Sequence, residues 1–260
     1  MRLLVRPCMR GRLVTVLGAA LLGALAGCGD ETKPPAPLVE RSVGTGSHQV
    51  WVFQQKRAAP QSVVVFLHGL GGPAEETPVN HLPWLRHLAR QGSLVIYPRY
   101  ERYPGDPLAP RFLLETMSGL ARSTNLSEKP LLLIGYSRGG GLAVTYSTVA
   151  SAAGLEPKIV VGLFPGINDR QLDPGGMVPG TRFVFLVGDR DKVVGGHGAD
   201  ALRRWLLANG YPKQLVSVTK ITSTDEFTAT HLSVLEDSVG AREALWKPVD
   251  RLVDEVRKPS

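Results

Sequence analysis

Ser137 stands in Gly135-Tyr136-Ser137-Arg138-Gly139, with Gly140 and Gly141 after it and four aliphatic residues, 131 to 134, before it. This is a G-x-S-x-G pattern at the junction of an apolar run and a helical one, the strand–turn–helix setting that presents a serine as a nucleophile. The glycines have a steric purpose. A nucleophile on so sharp a turn takes a strained backbone, and side chains at the flanking positions would strike the neighbouring strand and helix. An alcohol needs a base, and the base needs an orienting acid. In such sites the acid and then the histidine follow the serine along the chain. Two histidines follow Ser137, His197 and His231. His197 is too near the candidate acids to approach from another loop and reads as a surface residue near a helix start. His231, in DEFTATHLSVL, reads as the general base. The stretch VFLVGDRDKVV supplies the acid: Asp191 is favoured because the strand end must turn before a carboxylate can face the imidazole, Asp189 is the near competitor, and Asp169 in PGINDR is a third choice. The glycine-rich FLHGLGG (66 to 72) and the residue after the serine offer backbone N–H groups to an oxyanion, with Leu70 and Arg138 as donors. Losing one such donor costs roughly 3 kcal/mol in a transition state. The alternative is a glycine-rich turn with an inert serine, and turn or capping roles for the aspartates.

The elements around these residues alternate. Apolar, β-branched runs at 47–53, 62–69, 93–98, 130–135, 158–166, 181–189 and 213–221 read as strands. Helical periods occupy 81–92, 108–122, 138–151, 199–210 and 239–258, the last open to a break near Pro248. Strands alternating with helices predict an α/β fold: a mostly parallel central sheet with helices on both faces, a three-layer sandwich. A serine after the strand at 130–135 then stands at the carboxyl edge of the sheet, where open α/β sheets bind ligands.

The chain has 260 residues, 43% hydrophobic and 20% charged, enough for one α/β domain with a full core. Its formal charge of +7 includes Arg2, Arg6, Arg10 and Arg12 of the first segment. Without them about +3 remains, and no basic run is interleaved with aromatics, so nucleic acid is not an expected partner. That first segment pairs a basic start with an apolar stretch, Leu13 to Ala26, too short to span a membrane comfortably and fitting a signal peptide. Leu25-Ala26-Gly27-Cys28 resembles a bacterial lipobox. The expected organisation is a signal peptide at 1–27, a lipidated Cys28 with a proline-rich tether to 38, and the folded domain at 39–260. The expected location is the cell envelope, anchored to a bacterial membrane through Cys28. With Cys8 removed and Cys28 acylated, the domain keeps no thiol, and its stability must come from its core.

HGLGG (68 to 72), GYSRGG (135 to 140), GDRDKVV (188 to 194) and His231, in that order and spacing, resemble the α/β-hydrolase superfamily over roughly 48 to 256. WLRHLARQGSLVIYPRYE (84 to 101) is similar to its dienelactone-hydrolase and lipase-like branches. The resemblance implies a sheet of about eight strands, Ser137 as nucleophile, Asp191 as acid, His231 as base, and Leu70 with Arg138 as oxyanion donors. It implies hydrolysis of a small-molecule or lipid-like ester by a monomer without cofactor. HExxH is absent, and HGLGG lacks dinucleotide spacing, so neither a metal nor a nucleotide is expected. Tyr136, Tyr100 and Phe164 are the expected pocket walls, with Trp84, Tyr103 and Phe227 as further aromatics of either pocket or core. Thioester or amide cleavage by the same triad, or a non-catalytic binding role for the fold, are the competing functions.

Overall fold

The structure is a computed structural model and describes residues 36–71, 77–123, 125–167 and 174–259. The signal-peptide and Cys28 readings, most of the tether, Asp169 and Gly72 fall outside these residues.

In chain order the elements are β1 (Leu38–Val43), β2 (Val50–Gln55), β3 (Ser62–Leu67), α1 (Leu82–Arg90), β4 (Ser93–Pro98), α2 (Ala109–Ser123), β5 (Leu131–Tyr136), α3 (Arg138–Ser147), α4 (Ala150–Ala153), β6 (Pro157–Leu163), β7 (Arg182–Gly188), α5 (His197–Ala208), β8 (Val216–Ile221), α6 (Val239–Ala241) and α7 (Lys247–Val256). The eight strands form one sheet in the order β1-β2-β4-β3-β5-β6-β7-β8. Pairings from β4 to β8 are parallel, and β2 alone runs against its neighbours on both sides.

Period two decides which side chains serve which layer. All six residues of β3 are buried. Val63, Val65 and Leu67 pack with Leu113 and Met117 of α2 and Leu142 of α3, whereas Val64 and Phe66 pack with Trp84 and Leu85 of α1 and Val249 and Val253 of α7. A strand buried on both faces reads as a continuous apolar run, which is why β3, β4 and β5 are so plain in the sequence. Each such side chain contributes roughly 1.5–3 kcal/mol by leaving water, so the two clusters carry the stability of described residues that include no cysteine.

Three readings change. β1 is a strand that the pattern did not disclose, because four of its six residues are exposed at the edge of the sheet. It begins at the last residue assigned to the tether. Ser47 lies in a 3-10 turn before β2, and residues 213–215 form another before β8. The closing helix is not broken at Pro248. It passes through a π turn at Arg242–Trp246 directly before Pro248, where the chain accommodates a residue that has no N–H to give the preceding turn. Near the end of the chain, Arg257 donates to the Ser62 and Ser93 hydroxyls at 3.1 and 3.0 Å and to the Gln91 carbonyl at 3.0 Å. This ties the last helix to the starts of β3 and β4. Among the described residues no helix is long and apolar enough to cross a membrane.

Candidate active site

Ser137 follows β5 directly and has φ 52° and ψ −119°, a region that side chains enter only under strain. The surroundings hold it there. Its N–H donates to the Leu163 carbonyl at 2.9 Å, and its own carbonyl accepts from Gly140 at 2.9 Å and Gly166 at 2.7 Å. A Cβ on Gly135 would run into the Gly139 carbonyl, and one on Gly139 into the carbonyls of Leu67 and His68. The motif glycines are thus demanded by close packing of the turn on its neighbours.

The hydroxyl faces His231. Ser137 Oγ and His231 Nε2 are 2.8 Å apart, and His231 Nδ1 is 2.9 Å from Asp191 Oδ2. Asp191 is buried, and its other oxygen accepts the N–H groups of Val193 at 2.8 Å and Val194 at 3.1 Å. Those bonds fix the carboxylate, and the carboxylate fixes the imidazole with Nε2 toward the serine. Three strand ends meet here: β5 delivers Ser137, the turn after β7 delivers Asp191, and the loop after β8 delivers His231 at the start of a 3-10 turn. Asp189 is engaged elsewhere, accepting the Ser223 hydroxyl at 2.5 Å, a bond that holds its carboxyl below the ordinary value. His197 is exposed as the first residue of α5.

Opposite the imidazole lies the loop after β3. Gly69 packs against Ser137: an added Cβ would sit 3.3 Å from the serine Cβ. The Leu70 side chain is 58% exposed, and its N–H and that of Arg138 have no acceptor among the described residues. The Arg138 N–H opens α3, where the helix itself cannot satisfy it. His68 is buried under this loop, with Nδ1 2.8 Å from the Gly69 carbonyl oxygen, and its ring stacks on Tyr100 at 4.1 Å between centroids.

The three aromatic residues expected as pocket walls are buried, Tyr100 and Phe164 wholly so. The Tyr100 hydroxyl donates to the His68 carbonyl beneath the loop. Phe164 has a positive φ of 46° and sits edge-on beneath His231, 6.2 Å between ring centroids. Tyr136 is also buried, and its hydroxyl donates to the His231 carbonyl at 3.0 Å. All three are aromatic neighbours of the site that support its loops. Trp84 stacks on Trp246 in the core at 5.4 Å, Phe227 is buried, and Tyr103 is exposed.

Two acids that the sequence reading passed over lie beside the serine turn. Glu101 and Asp106 are both buried in the loop after β4. The Glu101 carboxylate pairs with the Arg138 guanidinium, and the Asp106 carbonyl accepts a second guanidinium N–H at 2.7 Å. Burial draws the Arg138 pKa downward from its ordinary value. The missing signal was strand order: β3 lies between β4 and β5, so only the folded sheet brings the loop after β4 across to the residue after β5.

Beside the imidazole opens a cleft of about 720 Å³ lined by Arg190, Lys192, Val193, Thr228, His231 and Leu232. Among the described residues no group of three or more His, Cys, Asp or Glu side chains is placed to hold a metal ion.

No model of a known family matches the sequence, and no curated protein does. Solved structures do match in shape. Esterase B from Lactobacillus rhamnosis is 15% identical with a TM-score of 0.64, over 88% of this chain and 89% of that one. An alpha/beta hydrolase enzyme from a Medee basin deep-sea metagenome library is 15% identical with a TM-score of 0.59, over 85% and 98%. A hormone-sensitive lipase from a metagenome library is 17% identical with a TM-score of 0.61, over 85% and 88%. The chain has the α/β-hydrolase fold.

Proposed function

We propose that the protein is a serine hydrolase that cleaves carboxylic esters through an acyl-enzyme. The observation that carries this reading is the continuous chain from Ser137 Oγ to His231 Nε2 at 2.8 Å and from His231 Nδ1 to Asp191 at 2.9 Å, at the carboxyl edge of the sheet. In the first step His231 takes the serine proton as Oγ bonds to the ester carbonyl carbon. The carbonyl electron pair moves onto oxygen, where the N–H groups of Leu70 and Arg138 receive it. The oxyanion then collapses, the alcohol leaves with the proton from His231, and the acyl group stays on Ser137. Water, deprotonated by the same imidazole, repeats the sequence and releases the acid. Asp191 holds the imidazolium while it is charged. The open cleft beside His231 suits small esters better than long chains buried in a tunnel. The esterase and lipase named above support ester bonds as the substrate class.

The test is covalent. A fluorophosphonate probe should label the folded protein at Ser137, with p-nitrophenyl acetate hydrolysis lost in step. Label on another residue, or none, refutes the reading. Parallel assays with thioesters and aminoacyl amides decide between ester cleavage and the competing acyl transfers.

For residues 1–38 we propose export and anchoring by lipid on Cys28, supported by Leu25-Ala26-Gly27-Cys28 after the apolar stretch. Metabolic labelling with a clickable palmitate analogue should mark the wild type and not Cys28→Ala.

A further inference from the structure

The geometry points to Glu101 as a positioning residue for the oxyanion hole, acting through Arg138 in the catalytic reading above, on which this inference rests. One short loop, residues 99–106, reaches both donors of that hole. At one end, Tyr100 hydrogen-bonds the His68 carbonyl and stacks on the His68 ring, directly under the loop that carries Leu70. At the other, Glu101 and the Asp106 carbonyl grip the guanidinium of Arg138, whose N–H is the second donor. The loop is itself tied together. Glu101 accepts the Gly105 N–H at 3.2 Å, while Asp106 accepts Arg102 Nε at 2.7 Å, Arg102 Nη2 at 3.0 Å and the Leu108 N–H at 3.0 Å.

Two observations argue that this pair serves geometry more than stability. A buried ion pair gains little net stability, because desolvating both ions offsets their attraction. Glu101 bears that cost in full, being wholly buried with Oε1 lacking any hydrogen-bond partner among the described residues. Arg138 also opens α3, where a cation opposes the helix dipole unless a carboxylate neutralises it. The pair therefore fixes the guanidinium onto the loop after β4. That pins the first turn of α3 and leaves its leading N–H facing the place where negative charge develops. An oxyanion donor works only when preorganised within a few tenths of an ångström, so loosening this clamp should weaken the transition state and spare ground-state binding.

The experiment compares Glu101→Gln with the wild type on p-nitrophenyl acetate. Expected is a fall in kcat of about 10- to 100-fold with KM changed by less than about threefold, since a donor is displaced and not deleted. The rate of fluorophosphonate inactivation, which forms a tetrahedral adduct, should fall in parallel. Arg138→Lys keeps a cation for Glu101 but gives up the fork that also reaches the Asp106 carbonyl, so it tests the same clamp should Glu101→Gln fail to fold. It should lower kcat by about three- to tenfold at constant KM. Wild-type kcat in Glu101→Gln, or a rise in KM alone, overturns the inference while leaving the nucleophile assignment intact. If Glu101→Gln does not fold, unchanged kcat in Arg138→Lys overturns it. A wild-type protein that neither hydrolyses esters nor takes the probe at Ser137 refutes the catalytic reading and this inference together.

Discussion

The sheet carries a hollow at each end. At the carboxyl end, the cleft beside His231 holds about 720 Å³; at the amino end, another of about 730 Å³ lies against the starts of β5, β6 and β7, lined by Glu128, Lys129, Pro130, Glu156 and Thr181. By size they nearly match. They differ in what their polar atoms already do. At the amino end the Thr181 hydroxyl donates to the Pro157 carbonyl at 2.8 Å and its carbonyl accepts from Tyr211 at 2.5 Å, so Thr181 is engaged in holding neighbouring elements together. At the carboxyl end three loops aim side chains at one another, a serine is held at a strained φ, and two backbone N–H groups have no acceptor among the described residues. Chemistry follows convergence and strain, and volume alone does not mark it.

Substitutions at the two ends should therefore separate widely. Ser137→Ala should lower kcat for p-nitrophenyl acetate by about 10³-fold or more while leaving the far-UV spectrum unchanged. Asp191→Asn should cost about 10²- to 10⁴-fold, because the amide presents the wrong hydrogen-bonding partner to Nδ1, whereas Asp189→Asn, two residues away, should cost less than about fivefold. Equal losses at both aspartates would show that the acid is shared and that the assignment to Asp191 is wrong. Tyr136→Phe removes the hydroxyl that anchors the His231 carbonyl and should lower kcat by about three- to tenfold with little change in KM.

The acid limb of stability sharpens the same contrast. Arg102, together with backbone N–H groups, holds the Asp106 carboxyl down from 3.8 to about 2. A depressed carboxylate adds stability above its unfolded pKa and loses it as pH falls through the folded one. Amide exchange in the segment around Asp106 should accelerate as pH drops from about 4 toward about 2 once intrinsic rates are divided out, and Asp106→Asn should flatten that response. The smallest effect belongs to the amino end: Lys129→Ala should leave kcat and KM within about twofold. A larger change would break the claim that this hollow is inert.

Much of this arrangement is legible along the chain, and the reason is local. Strands buried on both faces announce themselves as runs such as 62–67 and 131–134. The serine turn is marked by glycines whose absence of side chains is a steric requirement. His231 is found by elimination among two histidines. Asp191 could be ranked above Asp189 because a strand must turn before an acid can face sideways. What escaped depends on lateral neighbours. Glu101 and Asp106 gain their meaning from a loop crossing the end of β3, and the hydroxyls of Tyr100 and Tyr136 gain theirs from the His68 and His231 carbonyls, which lie far away along the chain. β1 escaped because an edge strand with one partner and mostly exposed residues carries no alternation.

The guanidinium of Arg257 joins hydroxyls on β3 and β4, and its bond to Ser62 spans 195 positions. A clasp of that span closes only once α7 has been made, so the opening strands must wait for the final turn of α7 before their ends are sealed. Cutting the chain before Arg257 would leave the two serines facing each other without their shared donor.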